Sequence, residues 1–210
     1  YYDLASLSKP PTNGIGFLDR RADITKEMEL VLNHRGGLPA WGLLPKHGWK
    51  DLILAYGIKE SETLYSDYSA LRFMLEFEDK INSPLHSVAS KYWHSELMFW
   101  KDLKQNNFCL QNGFRDGKAN LGIVHDPNAF TINDYVSHAG LFGTITGVCE
   151  TLINLDQKLD LLEIMKKDIA LAPTQRFING WDRAQDLQKT LAGSGCSQYT
   201  FGHLGFTGTS

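Results

Sequence analysis

Two short patterns at opposite ends of the chain limit its fold more than anything between them. Ser6-Leu7-Ser8-Lys9 lies at the start, Gly202-His203-Leu204-Gly205-Phe206-Thr207-Gly208 lies at the end, and Tyr65-Ser66-Asp67 stands between. A serine hydroxyl is a weak nucleophile at neutral pH and needs a base within hydrogen-bond reach. A spacing of three places Ser6 and Lys9 on one face of a helical turn, side chain above side chain. A buried lysine can lose its proton and assist as base, or it can lower the pKa of a neighbouring phenol, for which Tyr65 is the candidate. A chain that uses these groups together must bring its two ends side by side.

Composition bounds the rest. The 210 residues are 42% hydrophobic, enough to bury a core as one globular domain. The net charge is −3 with both signs interspersed, so no footprint for nucleic acid appears and a polyanionic partner is not expected. No apolar run approaches the ~20 residues that span a bilayer. Cys109, Cys149 and Cys196 are odd in number and lack a C-x-x-C pattern, which argues against a disulfide framework or zinc knuckle and for buried or idle thiols. The seven histidines show no His-x-x-x-His or His-x-His pair, so neither a catalytic metal nor a cofactor is expected. His125 and Asp126 with His138 are read as loop-fixing hydrogen-bond partners.

Periodicity predicts a helix opening over Leu4 to Pro11, with Pro10 and Pro11 tolerable only in its first turn. Thr12-Asn13-Gly14-Ile15-Gly16 reads as turn formers that cannot continue it. Further helices are expected over Lys26 to Asn33, Trp49 to Tyr56 and Ser69 to Ile81. Ser87 to Leu103 carries Val88, Tyr92, Trp93, Leu97, Trp100 and Leu103 at roughly helical spacing, as a core or lid stripe. Asn106 to Gly122 reads as a long loop. Gly147 to Ile169 reads as a helical tract with a break near Asn154 to Lys158, and Tyr199 to Thr209 as a strand. No repeat or linker divides the chain.

Taken singly, each piece has an ordinary use: Ser6 as a helix N-cap, Tyr65 as a half-buried aromatic, His203 as a strand histidine. Order and flanking sequence change the weighing. Asp3-Leu4-Ala5-Ser6-Leu7-Ser8-Lys9, His34-Arg35-Gly36-Gly37-Leu38-Pro39, Gly122-Ile123-Val124-His125-Asp126 with His138-Ala139-Gly140-Leu141-Phe142, and Gly202 to Gly208 follow one another as the blocks of a known family do. The chain resembles serine hydrolases of the β-lactamase (class C) and penicillin-binding-protein-like superfamily, in its esterase or D-aminopeptidase branch. Gly180-Trp181-Asp182 is similar to a further element of that family.

The resemblance implies an α/β (α+β) fold of the β-lactamase/transpeptidase type, an antiparallel sheet flanked by a helical region. In that family two strands precede Ser-x-x-Lys, and one or two strands and a helix follow the last triplet. Residues 1–210 are therefore expected to be one domain lacking parts of the sheet at both ends. A gap is also expected across about 11–18, where the family runs a long helix past the lysine.

The implied roles are residue by residue. Ser6 is the nucleophile, Lys9 and Tyr65 shuttle its proton, and His203 supplies a donor or partial positive charge towards substrate or Tyr65. The backbone N–H groups of Ser6 and Phe206 form the oxyanion hole. Asp67, Gly205 and His138 border the substrate. His203 stands where many relatives carry Lys, which points away from efficient penicillinase activity. Asp67 replaces the Asn common in penicillin-binding proteins; it would repel a substrate carboxylate and could hold Lys9 protonated.

The expected activity is metal-independent hydrolysis, through an acyl-enzyme, of an ester, amide or D-amino-acid peptide. A DD-carboxypeptidase or β-lactamase and a catalytically silent scaffold are the alternatives. Partners are confined to a small-molecule or peptide substrate, with the oligomeric state open. An extracytoplasmic location is slightly favoured over a cytoplasmic one because many relatives are exported.

Overall fold

The computed structural model describes residues 1–105, 107–185 and 192–208. Its strands are short and form three antiparallel sheets. β1 (Tyr2–Asp3) and β2 (Leu97–Phe99) flank β5 (Leu141–Gly143), with Asp3 opposite Phe142 and Met98 opposite the same residue. β3 (Gln111–Arg115) and β4 (Lys118–Leu121) make a hairpin, and β6 (Phe177–Ile178), β7 (Trp181–Arg183) and β8 (Phe201–Gly202) make the third sheet. All three residues of β5 are buried, as a central strand requires.

The helices are α1 (Ile15–Asp19), α2 (Lys26–Leu32), α3 (Trp49–Leu54), α4 (Asp67–Ile81), α5 (Leu85–Ala89), α6 (Pro127–Ile132), α7 (Ile145–Leu159) and α8 (Leu161–Leu171). α4 is the central element, with α2 and α3 packed on it. Ser66 begins it: its hydroxyl accepts the Ser69 N–H at 2.9 Å, and Asn82 ends it in the left-handed conformation. No Gly or Pro interrupts the segment, and Leu71, Phe73 and Phe77 are wholly enclosed. Burying each such side chain contributes about 1.5–3 kcal/mol. Thr144 caps α7 in the same way through the Gly147 N–H.

Gly147 allows that capped end to lie against the residue preceding β2. A Cβ there would come 2.5 Å from the Glu96 carbonyl oxygen. Gly147→Ala is therefore expected to destabilise the fold by about 1–3 kcal/mol despite alanine's better helix propensity, measured as a lowered urea midpoint.

Five expectations are corrected. The turn expected at Thr12 to Gly16 is helical: a 3-10 turn (Ala5–Ser8) passes into a wide π-type turn (Pro10–Gly14) and then α1. Pro10 and Pro11 stand in the first turn of this π-type segment, where a missing N–H is tolerated, and the turn is wide, with the Ile15 N–H reaching the Pro10 carbonyl. The glycines serve close packing, since a Cβ on Gly14 would lie 3.0 Å from the Trp181 ring nitrogen and one on Gly16 2.5 Å from Leu85 Cδ1.

The stripe from Ser87 to Leu103 is not one helix; α5, a 3-10 turn (Ser90–Tyr92), β2 and another 3-10 turn (Trp100–Asp102) share it. Pairing of Leu97–Phe99 with β5 overrides the helical spacing. The expected loop from Asn106, itself outside the described residues, to Gly122 holds the β3–β4 hairpin, turned by Asp116 and Gly117 at φ 51° and 75°. The break between α7 and α8 falls later than expected, at Asp160, which is left-handed. The strand expected from Tyr199 to Thr209 is confined to Phe201–Gly202, and Thr209 lies outside the described residues.

Candidate active site

Ser6 and Lys9 lie in the helical turns that follow β1. Ala5, just before the serine, is left-handed at φ 44°, a conformation that costs a non-glycine residue about 1 kcal/mol. The Asp3 carboxylate holds it there by accepting the Ala5 N–H at 2.9 Å. The same carboxylate accepts from Asn112 Nδ2 and the His125 N–H, both at 2.7 Å, and so ties the β3–β4 hairpin to the Ser6 loop. Burial raises the Asp3 pKa, and the three donors oppose that rise.

The Lys9 ammonium organises the centre. It is almost fully enclosed at 2% exposure and donates to Ser6 Oγ at 3.0 Å and to the His138 carbonyl at 3.1 Å. It meets Asp67 Oδ1 at 2.8 Å and lies 4.9 Å from the centre of the Tyr65 ring. Burial opposes its charge, but the Asp67 carboxylate and the Tyr65 phenol more than offset this and hold Lys9 above the ordinary lysine range. Lys9 therefore rests as an ammonium, the effect expected of an acidic residue at position 67. In that state it stabilises negative charge on Ser6 Oγ or on the phenol.

His203 follows β8, and its ring centre lies 5.8 Å from that of Tyr65. Nδ1 donates to the Leu204 carbonyl at 2.9 Å, which leaves Nε2 as an acceptor. Burial, with the Lys9 charge adding to it, lowers the His203 pKa to about 4, so the ring is neutral at pH 7. A histidine whose pKa falls on folding binds its proton more readily in the unfolded chain. Stability is accordingly expected to fall as the pH drops from 6.5 towards about 4, read from urea midpoints across that range, and His203→Asn should flatten the slope.

His138 acts on Lys9 through its carbonyl. Its imidazole Nε2 meets Asp126 Oδ1 at 2.8 Å, and Asp126 also caps α6 by accepting the Ala129 N–H. Burial disfavours the Asp126 carboxylate, but the His138 imidazole outweighs burial and brings its pKa to about 2. Gly205 and Phe206 lie in the turn after His203. The Phe206 side chain is 82% exposed, 5.3 Å from the His125 ring. Thr207 fastens this turn to β1 by donating to the Asp3 carbonyl at 2.6 Å.

Ser6, Tyr65, Asp67 and the His138 carbonyl thus share the Lys9 ammonium, and His203 adjoins Tyr65. Gly205 and Phe206 are tied towards the site by the Thr207 hydrogen bond to Asp3 and by the Phe206–His125 ring contact. Sequence reasoning assigned no role to Asp3, His34 or Phe177. His34 was visible only as part of a matched block, and Phe177 carried no signal. Among the described residues, no three His, Cys, Asp or Glu side chains gather as a metal site would need, and no helix is long and apolar enough to cross a membrane. The three cysteines are free thiols, none of them fully buried.

No protein-family model matches the sequence, and no curated protein matches it. Among solved structures it is similar to FmtA from Staphylococcus aureus, with a TM-score of 0.59 at 13% identity over 86% of this chain. The likeness is one of fold. It supports a fold of mixed helices and small antiparallel sheets, and the chain spans 59% of the FmtA chain.

Proposed function

We propose that the protein is a serine hydrolase that works through an acyl-enzyme on an ester, amide or D-amino-acid peptide. The observation that carries this reading is the buried Lys9 ammonium 3.0 Å from Ser6 Oγ, pinned by Asp67 and the His138 carbonyl beside Tyr65. Ser6 Oγ bonds to the substrate carbonyl carbon while its proton passes to the Tyr65 oxygen, acting as base in its ionised form beside the Lys9 ammonium, and from there to the leaving group as that bond breaks. Water then removes the acyl group from Ser6 by the reverse proton route. The Ser6 and Phe206 N–H groups are assigned to the developing oxyanion, with Gly205, Asp67 and His138 bordering substrate.

A neutral His203 offers no cation to a substrate carboxylate, which weighs against a DD-carboxypeptidase or β-lactamase. The ion pair between Lys9 and Asp67 favours a second reading, a silent scaffold, because a resting ammonium cannot take the Ser6 proton. An extracytoplasmic location belongs to the first reading.

Intact-protein mass after exposure to a fluorophosphonate, and separately to a penicillin, tests these readings. A stoichiometric adduct mapped to Ser6 is expected with the fluorophosphonate. An adduct with the penicillin as well would move the substrate towards cell-wall peptides, and no adduct with either in folded protein would leave the scaffold.

A further inference from the structure

Tyr65 is bracketed by one residue. On its N-terminal side the Leu64 N–H donates to the His34 carbonyl at 2.9 Å, and on its C-terminal side the Ser66 N–H donates to His34 Nδ1 at 3.2 Å. His34 is buried and itself left-handed at φ 57°, which turns its carbonyl and its imidazole towards the same passing segment. Two more ties continue the strap: Ser66 Oγ donates to the Pro39 carbonyl at 2.6 Å and the Asp67 N–H to the Ala40 carbonyl at 2.9 Å. The Tyr65 ring is walled by His34 at 4.8 Å and by Phe177 at 5.7 Å between ring centres, and His34 and Phe177 touch edge to face at 4.6 Å.

We infer that His34 is the positioning residue for Tyr65: its Nδ1 lone pair, with its carbonyl, fixes the backbone on both sides of the tyrosine so that the phenol is held against the Lys9 ammonium. This rests on the reading of Tyr65 as part of the proton route. The role requires a neutral imidazole with Nδ1 unprotonated, since a proton there would set donor against donor. Burial, reinforced by the Lys9 charge, keeps the His34 pKa well below the ordinary histidine value, which supplies that state. Without the acceptor the Ser66 N–H is left buried and unpaired, and the segment must shift to find a partner. Sub-ångström to 1 Å displacements of a catalytic group cost up to about 100-fold in rate.

Two substitutions separate the acceptor from mere polarity. His34→Asn places a carbonyl oxygen where Nδ1 stands, and asparagine tolerates the left-handed conformation. His34→Gln carries its oxygen one bond further, to the place of Nε2. The intact protein and both variants are labelled with a fluorophosphonate under pseudo-first-order conditions. In parallel the Tyr65 phenol is titrated by NMR of ring-labelled tyrosine, assigned with Tyr65→Phe.

His34→Gln is expected to slow labelling by about 10–100-fold and to move the Tyr65 titration, while His34→Asn keeps both near wild type. Equal impairment of the two variants, or wild-type behaviour of His34→Gln, overturns the proposal. If His34→Gln does not fold, His34→Asn is read against wild type: retention supports the proposal, and slow labelling by a folded variant overturns it. Should the wild-type protein not be labelled at all, the hydrolase reading falls. The Tyr65 titration alone then decides the positioning role, by the same ordering of the variants.

Discussion

Ser6→Ala is expected to abolish turnover and fluorophosphonate labelling while leaving the fold intact. Loss of a nucleophile that acts as a unit with its base costs on the order of 10⁴–10⁶-fold in kcat. The fold should survive because Ser6 is only half-buried and contributes one hydrogen bond, accepted from a Lys9 that keeps two other partners. Labelling stoichiometry by mass, together with a urea midpoint unchanged within about 1 kcal/mol, is the combination that checks it. Full activity in the folded variant would remove Ser6 from the mechanism.

Lys9→Met should give the largest loss of stability. The pair it breaks is enclosed, at 2% exposure for the lysine side chain and 15% for Asp67, and the methionine leaves a carboxylate with no cation beside it. Removing one partner of a buried pair costs about 3–5 kcal/mol, and the residual exposure of Asp67 places the expectation at the lower end. Urea unfolding with an unchanged m-value would measure it. The double variant Lys9→Met with Asp67→Leu should recover part of the loss, because neither charge is then stranded.

The pH dependence follows in sign. Lys9 is raised above 10.5 in the fold, so its contribution is whole below pH 10.5 and disappears as the pH rises through the folded value. The wild type should therefore lose this part of its stability in alkali, and Lys9→Met should not. An equal alkaline loss in both would mean that the Lys9–Asp67 pair is not what the fold depends on.

How much of this was legible in the sequence varies with the element. α2, α3 and α4 were readable because each carries apolar residues at helical spacing, and α2 and α4 also begin at capping hydroxyls, Thr25 and Ser66. The segment of Pro10 to Gly14 misled because local propensity was read without its tertiary partners. The Thr12 hydroxyl lies 2.8 Å from the Ser8 carbonyl and 2.9 Å from that of Ser137, and Asn13 donates to the Ala70 carbonyl at 3.2 Å, so residues that ordinarily favour turns satisfy a buried, widened helix. Two hairpins did have a signal. Asp116-Gly117 and Asn179-Gly180 are left-handed pairs of the kind that close two-residue turns, at φ 51° and 75° and at 53° and 82°.

The candidate site divides in the same way. The order of Ser6, Lys9, Tyr65, Asp67 and His203 was readable, and the structure gathers them. The acceptors that hold them were not, because the carbonyls of His138, His34 and Pro39 belong to the backbone and leave no mark in residue type. The Asp3 hub was similarly hidden, since a single carboxylate near a chain end gives no hint of contacts with residues more than a hundred positions away.

That hub also bears on how the chain reaches its final state. Asp3 is joined to Asn112 and His125, 109 and 122 positions distant, and its carbonyl to Thr207, 204 positions away. Contacts of such high sequence separation carry a large loop-closure entropy and tend to form late, after the locally encoded helices. The left-handed bend before Ser6 takes its Ala5 N–H acceptor from Asp3, so nascent or partly collapsed forms in which Asp3 is not seated would hold an unaligned serine. Reactivity at Ser6 would then mature at the end of folding, and its appearance in a refolding time course would report the closing of the chain's two ends rather than the formation of its helices.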